Sequence, residues 1–499
     1  MFSSKAEKRR TLAALCLCFF SVALDNSKLV AAAPVLGRLL GADSALLEWI
    51  VEASIVVYAS LLILGGALAE RFGPRTMLLS GISVFAGGSV LSAACPPGPA
   101  LIAARCVLGA GGALMTPATL AALKHMFDES ERARAISVWT ASYGIGASLG
   151  PVVGGALLGQ WGLGPAMLAN VPALILAFVG VYRLIPASLP RRDVPLDLLG
   201  TALGLFGSTA LLMAILHGPS LGLRHPAVLT AISIAAVFFA SLVAWERRAR
   251  HPILDPVLFR RARFTFTLLV ILFSYLALAG AAFIVAQYWQ VARAYGALES
   301  GFLSMPLTVS MLTGTLLAPR VIHRFGAERI LVASLLIATA GACLLAAVSG
   351  GSHDVLFALA EVPLGVGCGS AFTNATEIIM GSVPHERAGS AAAVSESAFE
   401  LGGALGIAVL GTALAAFSAK SGSFAVATSQ SLSVGACSIA ISVVVAGWLA
   451  FQTSLASSGR GAVVGVGSDL ERGPDGQVSL GRPGRRQDCG SEGGAGDPT

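Results

Sequence analysis

Hydrophobic residues occur in long runs along most of the chain, separated by short segments that hold the charged residues. A run of about 20 apolar residues is long enough for a helix to cross a bilayer. The pattern therefore predicts an all-α integral membrane protein. We delimit fourteen spanning helices at 12–34, 46–67, 77–95, 99–122, 134–158, 163–185, 197–216, 226–245, 264–288, 302–319, 329–349, 355–380, 388–416 and 430–452.

The amino-acid composition is also typical of an integral membrane protein. Hydrophobic residues make up 55% of the 499 residues and charged residues 12%, with a mean hydropathy of +0.78. The first apolar run follows four basic residues, as in a secretory signal, but it lacks a small-residue cleavage site and many spans follow it. We therefore expect it to be the first transmembrane helix. The eight cysteines are scattered and predict neither a disulfide framework nor a metal site.

The distribution of Lys and Arg predicts the orientation. With the N-terminus inside, 22 of the 33 basic residues fall in inner segments and four in outer loops. Basic loops stay on the cytoplasmic side. We therefore predict a multi-pass protein of the bacterial cell membrane with both termini cytoplasmic. The net charge of +6 then reflects topology, and no nucleic-acid partner is expected.

Glycine-rich segments recur at one constant offset, eight helices downstream. The repeat predicts two homologous six-helix bundles, 1–186 and 263–453, with a helix pair and its linkers inserted at 187–262, followed by a disordered cytoplasmic tail at 454–499. Parallel six-helix repeats occur in major-facilitator transporters, whose substrate site lies between the halves. The matching glycines are Gly109 and Gly365, Gly111 and Gly367, Gly146 and Gly402, Gly150 and Gly406, and Gly155 and Gly411.

Four segments in the expected order carry a family resemblance over nearly the whole membrane portion. They are LDNSKLVAAAP at 24–34, GALAERFGPRT at 66–76, LIAARCVLGAGGA at 101–113 and GASLGPVVGG at 146–155. With these motifs the chain resembles the fourteen-helix drug:proton antiporters of the major facilitator superfamily, and it is similar to exporters of quaternary ammonium compounds. The chain departs from the family pattern at Lys28, where an apolar residue is usual, at Glu70 in place of Asp, and at Leu108 in place of a common Gln.

The resemblance implies proton-coupled efflux of drugs or antibiotics by alternating access, with hydrophobic cations as substrates. The expected partners are a small-molecule drug or antibiotic, protons and the lipid bilayer, and the expected state is a monomer without cofactors. No G-x-x-x-x-G-K-[ST] motif occurs, so an ion gradient must supply the energy.

The fifth-helix motif has a physical reading of its own. Gly146, Gly150 and Gly154 are four residues apart, so they form one stripe on which a neighbouring helix can pack closely. Pro151 removes a backbone hydrogen bond and is expected to kink the helix. With Gly155, these residues are our candidates for a conformational seam, and plain close packing is the alternative.

Ionisable residues within the spans are candidates for function, because charge is expensive in a bilayer. Asp25 lies about 13 Å from the outer end of its helix, and Glu52 and Arg105 lie about 9 Å from the same side. The three could meet at one depth. An adjacent Arg favours the ionised carboxylate and burial favours the protonated form, so we predict Asp25 as proton carrier and Arg105 as its tuning partner. A static ion pair is the alternative.

Helix 13 carries a second candidate site. Glu396 and Glu400 are four residues apart and share one face, so one of them should hold a proton or neutralise a cation. We assign the pair to proton coupling and substrate binding, unless a neighbouring serine bonds one of them. Glu52 and Glu361 are further substrate-binding candidates. Glu377, near the inner end, is expected to reach the membrane surface.

The inner loop after helix 2 is predicted to form a latch that exists in only one conformation. Gly73 allows a tight turn, and Glu70 can engage the N-terminus of a nearby helix or an Arg. Arg71 and Arg75 complete this candidate set.

Other functions remain as alternatives. The chain has 28 Arg and 5 Lys, which suggests a GC-rich genome, where such exporters often give self-resistance to one endogenous antibiotic. Lys28 could bind an anionic antibiotic. A nutrient importer would lack the fifth-helix motif. A membrane enzyme is disfavoured, because the two G-x-S-x-G matches at 146–150 and 218–222 lie in a membrane helix and a short loop rather than after a strand.

Overall fold

Fourteen helices of the described chain are long and apolar enough to cross a membrane. The computed structural model describes residues 5–40, 44–96, 98–187, 197–222, 224–249, 256–350 and 353–467, although some side chains within these ranges, including that of Pro151, fall outside the description. The spans, labelled α1 to α14, are Lys5–Leu29, Trp49–Phe72, Pro74–Ala94, Pro99–Met126, Glu131–Leu158, Leu163–Leu184, Leu199–Gly218, Pro226–Glu246, Ala262–Ala292, Glu299–Phe325, Ala327–Val348, Asp354–Ser382, His385–Ser421 and Phe424–Gln452.

Several helices extend beyond these spans or are interrupted within them. The longer helices are Lys5–Leu40, Ser44–Phe72, Glu129–Trp161, Leu198–Leu221 and Phe424–Gly467. The interrupted spans are α6, with helices Leu163–Leu168 and Val171–Leu184; α9, whose helix Ala262–Gln287 ends in a π-helical turn Tyr288–Ala292; α10, with Ala297–Leu303 and Met305–Phe325; and α13, where a 3₁₀ turn His385–Arg387 precedes Ala388–Ser421. A short helix, Pro256–Arg260, precedes α9.

Glycines at positive φ separate consecutive helices where the chain turns most tightly. Gly73 has φ 87° between α2 and α3, and Gly326 has φ 88° between α10 and α11. A residue with a side chain is strained at such a φ, whereas glycine is not. Both glycines lie in the recurring inner-loop segments ERFGPR and HRFGAER, so the sequence repeat coincides with a repeated turn.

Helix packing repeats in the same way. In the first half α1 packs on α5, and α4 packs on α2 and α3; eight spans later α9 packs on α13, and α12 packs on α10 and α11. The halves meet where α2 contacts α13 and where α5 contacts α10. The inserted helices α7 and α8 pack on each other, and α7 also contacts α2 and α13.

The glycine stripe of α5 lies directly against the backbone of α1. A Cβ at Gly146 would come 2.5 Å from the carbonyl oxygen of Phe20, and one at Gly150 would come 2.8 Å from the backbone nitrogen of Lys28. A Cβ at Gly154 would collide with the Lys28 carbonyl. Such approaches are too close for any side chain, so only glycine permits this spacing of α1 and α5. Gly155 has open space around it.

The structure confirms the predicted fold class and the fourteen spans. Most of the helices are longer than the apolar runs. The first begins at Lys5 rather than at residue 12, because the basic residues before the apolar run are part of the helix. The helix of α5 is continuous from Glu129 to Trp161. The side chain of Pro151 lies outside the described residues, so the kink expected there stays a prediction. The four domain boundaries stay predictions, since parts of the linkers and of the tail are not described.

We predict that Gly150→Leu destabilises the protein, because its side chain must displace the α1 backbone, whereas Gly155→Leu on the same helix does not. Overpacking of this kind costs about 1–3 kcal/mol. The thermal unfolding midpoint in detergent measures the difference. Equal midpoints for the two variants would show that the α1–α5 contact is not close.

Candidate functional site

A cavity lies between the two halves. The first half contributes side chains of α1 and α5, and the second half contributes side chains of α9, α10, α12 and α13. The lining residues are Phe19, Trp139, Thr140, Tyr143, Tyr275, Met311, Phe372, Thr376, Glu396, Phe399 and Glu400. The cavity is therefore mainly aromatic, and its two carboxylates both come from α13.

Two groups of aromatic rings form its walls. Phe19 stacks on Trp139 with ring centroids 3.8 Å apart, and it also contacts Tyr143 at 4.6 Å. On the other side Tyr275, Phe372 and Phe399 contact one another at 5.3–5.4 Å in edge-on arrangements. Aromatic faces attract cations and pack well on flat apolar ligands.

Glu396 and Glu400 both reach this cavity, as expected from their spacing. Within the described part of the chain, neither carboxylate is paired with a Lys or Arg. The hydroxyl groups of Ser395 and Ser397 have no hydrogen-bond partner there, which removes support for the alternative in which a serine bonds one of the acids. The pair thus presents two carboxyl groups to whatever occupies the cavity.

Asp25 and Arg105 meet in a second site, inside the first half. One guanidinium nitrogen lies 2.6 Å from Asp25 Oδ2, a second donates to Ser54 Oγ at 2.5 Å, and Nε donates to the carbonyl of Ile50 at 3.2 Å. Asp25, Arg105 and Lys28 are all fully buried. Because Arg105 has three acceptors on two other helices, its position is fixed by hydrogen bonding as well as by charge.

Two residues that we did not assign to this site complete it. The ammonium of Lys28 lies 2.7 Å from Asp25 Oδ1, and the amide of Asn170 donates to the same oxygen at 3.1 Å. We call the set of Asp25, Lys28, Arg105 and Asn170 the charge cluster. Lys28 drew attention only as a departure from the family pattern, and Asn170 lies in the break of α6, where neither periodicity nor spacing marks it.

The other candidate acids lie elsewhere. Ile50 and Ser54, one turn apart, face Arg105, so Glu52 lies on another face of α2 and is only half-buried; the structure does not bring it into the charge cluster. Glu361 is buried and accepts a hydrogen bond from the Leu307 backbone at 3.1 Å, in the first turn of the helix Met305–Phe325. Among the described residues that line the cavity, neither Glu52 nor Glu361 appears.

The two halves also touch at the end of the bundle where α1 begins and where the α2–α3, α4–α5 and α12–α13 connections lie, here called the basic end. Glu70 accepts a hydrogen bond at 2.7 Å from the backbone of Ser390, in the first turn of the long α13 helix. Beside it, a Cβ at Gly66 would come 2.6 Å from the Gly389 carbonyl. The contact therefore joins a carboxylate to a helix N-terminus.

The remaining residues of the inner loop have other contacts. Arg75 donates to the carbonyl of Tyr182 on α6 at 2.8 Å, and the Arg71 guanidinium lies 5.3 Å from the Phe72 ring centroid. Of the four predicted latch residues, Glu70 is thus the one that these contacts place across the two halves, while Gly73 forms the turn.

Basic side chains on α4 and α5 close the same end. Arg132 binds Glu377 at 2.8 Å, and Lys124 donates to the carbonyl groups of Met380, at 2.6 Å, and of Val383. Our expectation that Glu377 extends to the membrane surface is wrong, because the Arg132 guanidinium holds it between the halves. These pairs link residues about 250 positions apart, and no local pattern reveals them.

The aromatic wall was also missed, although the repeat contained a signal for it. Phe19 and Tyr275 are related by the same offset as the repeated glycines, and so are Tyr143 and Phe399. The repeat places them in equivalent positions of the two halves, where they face each other across the cavity.

Taken together, the geometry provides a cavity with acidic and aromatic walls, a buried charge cluster, and a set of polar contacts that closes one end. Helix α1 carries both Phe19 and Asp25, so the cavity and the charge cluster are on one rigid element. Such an arrangement suits binding and movement of a small molecule rather than covalent chemistry.

Comparison with known proteins supports this view. The family model of the Major Facilitator Superfamily matches residues 15–407. The chain is 33% identical over 408 residues to the multidrug efflux pump LfrA of Mycolicibacterium smegmatis, covering 81% of each protein. It is 31% identical over 404 residues to the methylenomycin A resistance protein of Streptomyces coelicolor, covering 81% of this chain and 85% of that protein.

Solved structures agree on the fold. The human organic anion transporter MFSD10 superimposes with a TM-score of 0.65 at 14% identity, covering 89% of this chain and all of that one. The proton:xylose symporter XylE superimposes with a TM-score of 0.62 at 14% identity, covering 89% and 95%. With its family match, its relatives and its fold, the chain belongs to the major facilitator superfamily.

Proposed function

We propose that the protein exports drugs or antibiotics in exchange for protons by alternating access, and that its substrates are hydrophobic cations. In this proposal it is a transporter and not an enzyme, works as a monomer without cofactors, and lies in the bacterial cytoplasmic membrane with both termini inside. The basic end then faces the cytoplasm, in accord with the charge distribution of the loops.

The observation that carries the proposal is the composition of the cavity. Two carboxylates without a basic partner in the described chain face a space walled by aromatic rings. A cation gains electrostatic energy from the acids and from the ring faces, and its apolar parts gain from burial. Ionised acids would repel an anion, and a neutral sugar would gain hydrogen bonds from them but no charge attraction.

The names of the relatives point the same way. They include multidrug efflux pumps and resistance proteins for methylenomycin A, tetracenomycin C and puromycin. From these relatives we infer that this protein also exports its substrates and that the substrates are drugs or antibiotics. The acidic residues of the cavity favour cations within that class.

Proton coupling requires carboxyl groups whose protonation changes with the transport state. Glu396 and Glu400 are placed to exchange a proton for a cationic substrate directly, because two adjacent acids disfavour double ionisation. The charge cluster lies away from the cavity and is suited to couple protonation to the position of α1.

Alternation requires that the contacts at the basic end separate. The Glu70–Ser390, Arg132–Glu377 and Lys124 contacts must all break before the cavity opens toward the cytoplasm. We propose that they form a latch, which biases the equilibrium because it exists in only one of the two states.

A second candidate function is self-resistance to a single antibiotic, which the resistance proteins among the relatives favour. An anionic antibiotic bound by Lys28 is the less favoured form of this candidate. The Lys28 ammonium is buried against Asp25 and does not line the cavity.

We predict that Asp25→Asn abolishes proton-driven efflux while the protein stays folded and inserted, because an amide cannot balance the buried cations. Efflux from proteoliposomes under an imposed pH gradient should fall at least about tenfold, the equivalent of about 1.4 kcal/mol. Asn26→Ala on the same turn of α1 is the control. Wild-type efflux by Asp25→Asn would remove the charge cluster from the mechanism.

For the acidic pair, Glu396→Gln and Glu400→Gln are expected to weaken binding of a cationic drug about tenfold or more, since a charged contact contributes about 1.5–3 kcal/mol. Binding of a neutral drug of similar size should change little. Fluorescence titration of the purified protein measures both, with Ser397→Ala as the control. Equal losses of binding for both drugs would contradict recognition of the drug's charge by the pair. If export of both drugs falls equally while binding is unchanged, the pair acts in coupling instead.

Charge reversal tests the latch. Arg132→Glu places like charges between the halves and is expected to slow transport several-fold, because it destabilises the state closed at the basic end. Adding Glu377→Arg restores the opposite charges and should recover most of the rate, measured as drug efflux. A double variant no faster than Arg132→Glu alone would show that this ion pair does not take part in alternation.

A further inference from the structure

We infer that Lys28, rather than Asp25, is the group that binds and releases the proton in the charge cluster. The inference deepens the proposed function and rests on its claim that the cluster couples protons to transport. It starts from the geometry of three charged side chains enclosed together, with one carboxylate between two cations.

Charge balance within the cluster favours this assignment. With all three groups ionised, one negative and two positive charges lie fully buried, and the excess positive charge is costly in a medium of low dielectric. An arginine guanidinium keeps its proton under physiological conditions. Protonation of Asp25 would increase the excess, whereas deprotonation of Lys28 removes it. Lys28 is thus the one member whose proton exchange takes the cluster to neutrality.

Hydrogen bonding separates the two cations further. The Arg105 guanidinium donates to three acceptors, on Asp25, Ser54 and Ile50. Within the described residues the Lys28 ammonium has one acceptor, Asp25 Oδ1 at 2.7 Å, and that oxygen also accepts from Asn170. An ammonium carries three donors, and leaving buried donors unsatisfied is expensive. The neutral amine has fewer donors to satisfy.

Among the described residues, the helices packed around Lys28 bring one further charged group to the cluster, Arg105 from α4. Asn170 comes from α6 and Ser54 from α2. On the helix of α2, Glu52 lies on another face, and the side chain of Glu48 lies outside the described residues. The α5 helix packs Gly150 and Gly154 against this turn. On the side away from the cavity the cluster is covered by an apolar group, consisting of Leu29, Ile50, Leu101, Leu158, Ala166 and Met167.

Because the site is enclosed, proton exchange requires a movement, and the glycine stripe is the contact at which we place it. The backbone of Lys28 is in contact with Gly150 and Gly154. A shift of α5 along or away from α1 would therefore change the burial of Lys28, the charged residue of the cluster whose backbone contacts these two glycines. We infer that such a shift admits water to the ammonium in one transport state and excludes it in the other.

The proton step is simple. An N–H bond of the Lys28 ammonium breaks, the proton passes to water, and the nitrogen keeps the electron pair as a neutral amine, so the cluster changes from a net charge of plus one to zero. The reverse step occurs when the site opens to the other side. Phe19 at the cavity lies about 14 Å from Lys28 along α1, so the two sites communicate through the helix rather than by contact.

Substitutions of Lys28 test the inference. Lys28→Arg keeps the positive charge and cannot release a proton, and Lys28→Met keeps the apolar length and removes the charge. Both should bind drug and exchange it across proteoliposomes without a gradient, yet lose at least about tenfold of the efflux that a pH gradient drives. Lys420→Arg and Lys420→Met, at the exposed end of α13, are the controls.

The outcomes separate the two levels of the proposal. If Lys28 were only a counter-charge, Lys28→Arg would rescue coupling and Lys28→Met would not, and this result would overturn the inference. Coupling at the wild-type rate in Lys28→Met would overturn the inference as well. If Lys28→Arg folds poorly, the result with Lys28→Met decides. Full coupling in Asp25→Asn would instead refute the cluster's place in the proposed function.

Discussion

The close contact of α5 with α1 is the constraint on which the rest of the arrangement depends. Gly146, Gly150 and Gly154 bring the α5 backbone against the turns of α1 from Phe20 to Lys28. The same two helices carry Phe19, Trp139 and Tyr143 into the cavity. The spacing that buries the charge cluster therefore also sets one wall of the cavity, and any change in that spacing acts on both. A side chain in the stripe would separate the helices and disturb both sites together.

The two halves repeat this packing but not its chemistry. Gly402 and Gly406 of α13 lie against α9 as their counterparts lie against α1, and aromatic residues line the cavity from both sides. The charges, in contrast, are divided. At the repeat offset Glu396 corresponds to Thr140, Glu400 to Gly144, and Glu361 to Arg105. The first half thus keeps a buried cluster of both signs of charge, and the second half presents to the cavity two acids that have no basic partner among the described residues. In the proposed mechanism, substrate recognition therefore resides on the second half, and the conformational response to protons of the charge cluster resides on the first.

Most of the fold was predictable from the sequence, because apolar run length and glycine spacing are local properties. The meeting of Asp25 and Arg105 was also predictable, since helical rise gives both residues a similar depth. Glu52 shows the limit of that argument: depth does not specify the face of a helix. Contacts between the halves, such as Arg132 with Glu377, join distant segments and have no local signature. Asn170 was missed because it lies in a helix break that hydropathy does not resolve.

The central claim is that drug and proton move in opposite directions through one protein. Its most direct test uses wild-type proteoliposomes with a pH-sensitive dye inside, no initial pH gradient, and a cationic drug loaded on one side only. With the drug loaded inside, its outflow down the gradient should drive protons inward and acidify the lumen. The acidification should be absent when the drug concentration is the same on both sides. Drug outflow without any change in internal pH would contradict the account.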